Sequence, residues 1–164
     1  MSSTLLIADA STLLNFLRVG RFDLVQGLGY RVRIVDAVYN EIQSEREQLD
    51  GLIDAGTIKT LTLDGPVITG SVARFLALGL GEGESFSFAA ALEFDSAIAI
   101  DDRRAVKRAS SLAGGLTIVT TTSIVVDGIR SSKLTIEEAD RLKTEWAEKH
   151  SFRIKNLNSF GDLL

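Results

Sequence analysis

Acidic side chains follow two short apolar runs of the chain, and they are the residues best suited to do chemistry. Asp9 comes directly after "TLLIA", and Asp101 and Asp102 come directly after "AIAI". Two further acids, Glu41 and Glu84, stand in segments typical of helices. Carboxylates that converge without lysine partners repel one another, and a hard divalent cation is the simplest compensation. The pattern therefore predicts an oxygen-ligand site for Mg²⁺ or Mn²⁺.

The composition leaves few other routes to catalysis. The chain contains no cysteine, so thiolate ligands, disulfides and a cysteine nucleophile are excluded. The single histidine, His150, stands apart from the acids and is expected to be a solvated residue at a helix end. The net charge of −4 argues against broad electrostatic binding of nucleic acid. It does not exclude an enzyme that binds a phosphate group of its substrate through a metal ion.

Alternating strands and helices are the elements that must position these acids. The apolar and alternating runs predict five strands, near residues 4–8, 31–35, 58–62, 97–100 and 116–120. One continuous helix is predicted over 37–56, and Pro66 is assigned to a loop. Strands that are apolar throughout and alternate with helices predict a three-layer α/β/α sandwich. Its central sheet is expected to be mainly parallel, with the first strand in the middle.

In such a sheet, the carboxyl ends of the strands share one edge, where ligands bind. Asp9 and the pair Asp101–Asp102 should lie at that edge, and the helices that carry Glu41 and Glu84 can bring two more carboxylates to it. Taken singly, Asp9 is equally well explained as a helix cap, and Glu41 as a solvated helix residue. One aspartate of the pair is expected to cap the next helix, but a cap needs only one. The specificity lies in the order of the whole set.

Four segments resemble the successive signatures of PIN-domain nucleases, most closely the small prokaryotic branch related to the toxins of toxin–antitoxin pairs. The segments are LLIADASTLLNFLRVGRFDLV, VDAVYNEI, LGLGEGESFSFAAALE and AIAIDDRRAVKRA. The resemblance runs from about Leu5 to Val126. It implies a PIN-like fold and a magnesium- or manganese-dependent endoribonuclease, with RNA as its substrate. An antitoxin protein is an expected partner.

The same resemblance implies roles for individual acids. The acids of the family correspond to Asp9, Glu41, Glu84 and Asp102, which are the predicted catalytic residues. The predicted metal ligands are Asp9, Glu84, Asp101 and Asp102. The strand-end register makes Asp102 the preferred ligand of the pair, and Asp101 is able to share or replace it.

Polar and basic residues beside the acids complete the predicted site. Ser11 resembles a hydroxyl partner of the metal or of water. Arg103 directly follows the acid pair and is expected to contact substrate phosphates or an acidic antitoxin segment. Lys107 and Arg108 are expected to form a solvated helix face. The turn VTTTSIV resembles a threonine-rich turn of the family, but Thr and Ser replace the usual glycines, so Thr121 and its neighbours receive no role.

The organisation of the chain predicts one PIN-like domain over residues 1–164, with a helix at 135–150 outside the clearest part of the resemblance. No signal peptide or membrane-spanning run is found, so a soluble cytoplasmic protein is expected. Related domains form homodimers, and the apolar segments FSFAAALEF and RFLALGL offer a surface, although core packing explains them equally well. The alternative function is a non-catalytic PIN-like module that binds RNA or a partner without cutting.

Overall fold

The protein contains a five-stranded, all-parallel sheet in a computed structural model that describes residues 4–164. The strands are β1 (Leu5–Ala8), β2 (Arg31–Val35), β3 (Ile58–Leu61), β4 (Ala97–Ala99) and β5 (Ile118–Val119). Their order in the sheet is β3-β2-β1-β4-β5, so β1 is central. In this register Ile7 lies opposite Arg33 on one side and Ile98 on the other. The predicted parallel sheet with a central first strand is confirmed.

Helices pack against the sheet to complete the three-layer α/β/α sandwich. Over residues 4–164 the α-helices are α1 (Ala10–Arg18), α2 (Asp23–Gln26), α3 (Asp36–Glu41), α4 (Arg46–Asp54), α5 (Pro66–Ala77), α6 (Glu82–Glu93), α7 (Arg103–Ala113), α8 (Thr121–Arg130) and α9 (Ile136–Lys149). A 3₁₀ helix follows at Phe160–Leu163. No helix in this part of the chain is long and apolar enough to cross a membrane.

The single helix predicted over 37–56 is wrong, because the chain breaks it after Glu41. Ile42 is extended and Glu45 has a left-handed backbone with φ of 60°. The guanidinium of Arg46 lies 3.8 Å from the centre of the Tyr39 ring and donates to the Ile42 carbonyl at 3.0 Å. This contact compensates for the broken ladder and leaves Glu41 at the end of α3 rather than within a long helix.

Pro66 begins α5 and is not a loop residue as predicted. A proline fits the first position of a helix because its fixed φ suits the helix and its missing N–H would have no partner there. Gly65 precedes it with φ of 94°, a backbone conformation that side chains rarely adopt. Pro66 is therefore the first residue of a helix, and the loop prediction, which relied on the frequency of proline in loops, was wrong.

Strands β1 and β4 are buried except for Leu5 at the start of β1, which explains why their first polar residues mark the edge of the sheet. Leu6, Ile7, Ile98 and Ile100 are fully buried. A strand covered on both faces must be apolar throughout, so the first carboxylate appears where the chain leaves the core. Asp9 follows β1 and donates its backbone N–H to the Ala99 carbonyl of β4 at 2.9 Å. This bond places the ends of the two strands side by side.

The last helix packs on the domain through one aromatic side chain. Trp146 is fully buried, and its ring meets Phe16 of α1 and Phe152 edge-on at 5.7 and 5.8 Å. Thr135 caps α9, because its hydroxyl accepts the Glu138 N–H at 3.1 Å. His150 follows the end of α9, with its Nε2 atom 3.6 Å from the Glu145 carboxylate.

Candidate active site

Asp9 is a buried carboxylate that the surrounding protein does not neutralise. It stands at the N-cap position of α1, yet its side chain makes no capping hydrogen bond. The pKa of Asp9 is raised from 3.8 to about 7. Burial is the largest cause, and the negative charges of Glu84 and Glu41 add to it. The N–H groups of Ala10 and Ser11 oppose this shift in part. A group with this pKa is a candidate for a functional role because structure alone gives no reason to bury it.

Glu41 and Glu84 reach the same region from two different helices. Glu41 ends α3, and its pKa is raised by burial and by the charges of Glu84 and Glu82, although the Gly83 N–H lowers it. A Cβ atom on Gly83 would lie 3.0 Å from the carboxyl carbon of Glu41. Glycine at this point of α6 is therefore what allows the Glu41 carboxylate to lie against the helix backbone.

Glu84 occupies the first turn of α6, where its carboxylate accepts the Gly81 N–H at 2.9 Å. An acid in the first turn of a helix is favoured by the exposed N–H groups there. This bond uses Oε1 and leaves the second oxygen, Oε2, for another contact. The helix start therefore satisfies one oxygen of a carboxylate that lies within electrostatic range of Asp9.

No lysine or arginine neutralises the carboxylates of this site. Over residues 4–164, ion pairs join only Arg21 to Asp23 and to Glu138, and His150 to Glu145. In the same range, no three His, Cys, Asp or Glu side chains already stand in metal-binding geometry. Asp9, Glu41 and Glu84 thus lie within electrostatic range of one another without closing into a ligand shell.

Asp101 is held by side chains from two helices. Its Oδ1 accepts the Thr121 N–H at 2.8 Å. Its Oδ2 accepts the Thr121 hydroxyl at 2.6 Å, the Thr12 hydroxyl at 2.9 Å and, more weakly, the Asn15 amide at 3.4 Å. Four donors around one carboxylate fix its orientation. The side chain therefore points toward α1 and α8.

Asp102 instead caps α7. Its Oδ1 accepts the backbone N–H groups of Arg104 and Ala105 at 2.9 and 3.1 Å. The side chain is exposed and its second oxygen has no such bond to the helix. The adjacent aspartates thus divide two tasks: Asp101 joins the network beside the central strand, and Asp102 begins the helix.

The remaining predicted site residues, Ser11 and Arg103, are both exposed at the start of a helix. Ser11 is the second residue of α1, two positions after Asp9, and Arg103 is the first residue of α7. Neither position identifies what the side chain binds. Their roles remain predictions.

Thr12, Asn15 and Thr121 belong to the site and received no role from the sequence. Thr12 and Asn15 are polar residues three apart on the buried face of α1, and both are almost fully buried. That spacing places them on one face of the helix, which is a signal that sequence inspection offers. Thr121 is fully buried and also accepts the Asn15 amide at 3.1 Å. Its role depends on the packing of α8 and was not evident from the turn sequence.

The C-terminal helix supports this network through Trp146. Its indole N–H donates to the Asn15 carbonyl at 2.7 Å, across 131 positions of the chain. The bond is buried, and the Trp146 ring packs on Phe16 next to Asn15. α9 therefore fixes the part of α1 that faces Asp101.

Comparison with known families agrees with this geometry. A sequence model of the PIN domain matches residues 5–157. The chain belongs to the PIN-domain family. The match extends past Val126 and includes α9, so the helix that carries Trp146 falls within the matched region. No curated protein sequence matches the chain. The PIN assignment brings with it a nuclease-like fold, and this family is generally hydrolytic.

Proposed function

We propose that this PIN-domain protein is a metal-dependent endoribonuclease that hydrolyses RNA phosphodiester bonds. The single observation that carries the proposal is the Asp9 carboxylate, buried and with its pKa raised to about 7 beside Glu41 and Glu84. Burying such a charge costs stability, and a scaffold without catalytic work has no reason to bear that cost. A bound divalent cation turns the same arrangement into a favourable one.

The donor set fits Mg²⁺ or Mn²⁺. All its atoms are carboxylate oxygens, which suit these hard ions. The close seat of Glu41 against Gly83 brings its carboxylate beside the backbone from which Glu84 projects. Asp9 and Glu84 would hold the ion together with Asp101, or with the free oxygen of Asp102. When bound, the ion would lower the pKa of a water molecule and neutralise charge on the scissile phosphate.

Among the two aspartates after β4, the hydrogen bonds favour Asp101 as the residue oriented toward the site. Thr12 and Thr121 hold its carboxylate in one orientation, and the Asn15 amide of α1 donates to both Asp101 and Thr121. Pre-oriented carboxylates bind an ion with less loss of side-chain freedom than mobile ones. Asp102 would then act from the helix cap, with its second oxygen as the group available to a ligand.

Glu41 is proposed as a catalytic acid or base rather than a ligand, since its raised pKa favours proton exchange nearer neutrality. Ser11, exposed two positions after Asp9, would hydrogen-bond the attacking water or a phosphate oxygen. Arg103 would contact a substrate phosphate beyond the cleaved bond. These three roles complete the proposed reaction: water is positioned, its proton is accepted, and the strand is held.

The proposed partners are an antitoxin protein and a second copy of the chain. α5 and the end of α6 expose the apolar side chains of Val67, Leu76, Leu92 and Phe94. Such side chains are commonly covered when a homodimer forms. Sedimentation of the wild-type chain beside Leu92→Glu tests this: a dimer that dissociates only in the variant supports the surface, and a monomeric wild type contradicts it.

Cleavage of a labelled RNA tests the function. The purified protein is expected to cut RNA internally with Mn²⁺ or Mg²⁺, to stop in EDTA, and to lose activity in Asp9→Asn. Calorimetry should show Mn²⁺ binding that is lost in the same variant. RNA that is bound but never cut, with or without metal, would contradict the nuclease proposal and favour a non-catalytic PIN-like binding module.

A further inference from the structure

A groove of about 840 Å³ runs from the carboxylate edge of the sheet along α7. Its lining includes Ile100, which directly follows β4, and Ile118, the first residue of β5. One wall is the start of α7, and the other is the segment 152–157, which follows α9 and returns to this edge. Asp101 and Asp102 lie at its mouth, so the groove is continuous with the proposed active site.

The groove is strongly basic although the chain as a whole carries a net charge of −4. The lining includes five exposed cations: Arg103, Arg104, Lys107, Arg153 and Lys155. Over residues 4–164 none of the five forms an ion pair with a carboxylate. Asp101 and Asp102 are the two acids of the lining, so cations outnumber carboxylates there by five to two. The positive charge of the walls is therefore available to a ligand.

The C-terminal segment is built to present its two cations. Phe152 is half-buried against the Trp146 ring, and its N–H donates to the Trp146 carbonyl at 3.1 Å. Ile154 is also half-buried, while the intervening Arg153 and Lys155 are exposed. Phe152 and Ile154 also line the groove, so half-buried apolar side chains and exposed charged ones alternate along this wall. The segment is therefore a second wall and not a loose tail.

We propose that this basic groove binds the backbone of a single RNA strand beside the cleaved bond, with Arg153 and Lys155 as substrate-positioning residues. This inference rests on the proposed nuclease function. Charge complementarity to phosphate and continuity with the carboxylate edge carry it. The groove would bind the phosphates that follow the cleaved bond along the RNA strand. The C-terminal segment would therefore affect RNA binding and not the chemical step.

A second basic groove supplies a matched control. It has a volume of about 440 Å³ and includes Arg31, Arg33 and Lys59, at the start of β2 and in β3, away from the carboxylate edge. Arg31 and Lys59 are exposed, and like Arg153 and Lys155 they are a pair of one arginine and one lysine. The double variant Arg31→Ala/Lys59→Ala therefore changes net charge equally without touching the proposed path of RNA.

The experiment measures binding of a labelled single-stranded RNA of about 12 nucleotides, by fluorescence anisotropy across a range of salt concentrations, in an Asp9→Asn background that prevents cleavage. We expect Arg153→Ala/Lys155→Ala to weaken binding roughly tenfold at low salt and to reduce the slope of log K against log salt by about 1.4, as two lost phosphate contacts require. The control pair should bind as the parent does. Unchanged thermal unfolding confirms that both variants fold.

The outcomes separate this inference from the proposed function. A loss confined to the groove variant supports the groove even if the wild-type chain never cleaves RNA. Equal binding by parent, groove variant and control, equal loss in both variants, or no binding by the parent would overturn it, whether or not cleavage occurs. Competition by polyglutamate that is stronger than by RNA of equal charge would also overturn it, in favour of an acidic protein partner.

Discussion

Asp9 and Asp101 end neighbouring strands at one edge of the sheet, yet the protein treats their carboxylates in opposite ways. Asp101 receives four hydrogen bonds from Thr12, Asn15 and Thr121. Asp9 is more deeply buried and lacks a capping bond, and its pKa is raised by burial first and then by the charges of Glu84 and Glu41. Protein donors thus surround the Asp101 carboxylate, whereas burial of the Asp9 carboxylate is favourable only when a proton or a cation neutralises it.

This difference shows how the domain combines stability with function. The Asp101 network joins α1, α8 and, through Trp146, α9 around the end of β4. The carboxylates of Asp9, Glu41 and Glu84 instead repel one another on a scaffold that this network holds in place. Variants at the two kinds of site should therefore move stability in opposite directions.

The largest expected effect is on catalysis in Asp9→Asn. The amide keeps the shape of the side chain but removes the charge proposed to hold the ion, so RNA cleavage should fall by roughly 10³-fold, or about 4 kcal/mol in transition-state stabilisation. Initial rates at saturating Mn²⁺ measure this. Ser2→Ala, which alters a residue outside the described part of the chain, serves as a control. Wild-type rates in Asp9→Asn would remove Asp9 from the site.

The second effect is the pH dependence of stability in EDTA. The pKa of Asp9 is 3.8 as a free group and about 7 in the fold, so the folded chain keeps a proton that the unfolded chain has lost between these values. Stability should therefore fall as pH rises from about 4 to about 7 and then level off, a contribution of roughly 4 kcal/mol from this group.

The difference in unfolding free energy between wild type and Asp9→Asn isolates that contribution from other titrating groups. The variant should be the more stable protein at pH 8, and the difference should shrink toward pH 4. Denaturant unfolding at several pH values measures it. A constant difference across this range would show that Asp9 titrates normally.

A smaller effect, of opposite sign, is expected for Asp101→Asn. The new amide group would face the hydroxyl and amide donors of Thr12, Thr121 and Asn15, so the unfolding free energy should drop by about 2 kcal/mol. Asp102→Asn is the matched control, because asparagine caps a helix as well as aspartate and should change stability by only a few tenths of a kcal/mol. Equal losses in both variants would contradict the division of tasks between them.

The smallest effect tests the link from α9. Trp146→Phe keeps an aromatic ring in the core but removes the bond to the Asn15 carbonyl, together with some packing. The unfolding free energy should fall by about 1 to 2 kcal/mol. Phe152→Leu, beside the same ring but without a side-chain hydrogen bond, is the comparison. If Trp146→Phe alone lowers RNA cleavage beyond its effect on folding, the link positions α1 for catalysis.

Much of the fold could be predicted because strands β1 and β4 are buried on both faces. Continuous apolar runs such as "LLIA" and "AIAI" identify strands of a parallel sheet, and their first polar residues identify its carboxyl edge. The break after Glu41 could not be predicted, since it depends on Arg46 packing over Tyr39. The helix start at Pro66 was available from sequence rules and was misassigned.

The sequence alone determined that Asp9, Asp101 and Asp102 lie at the carboxyl edge of the sheet, because the first polar residues after a buried strand lie where the chain leaves the core. What the tertiary structure decided is which of two adjacent aspartates faces inward. Both Asp101 and Asp102 follow β4, and either is able to cap a helix. Only the packing of α1 and α8 around the strand end surrounds Asp101 with Thr12 and Thr121, and leaves Asp102 to the N–H groups of α7. The donors that orient Asp101 are distant from it in sequence, so no local sequence pattern predicts these hydrogen bonds.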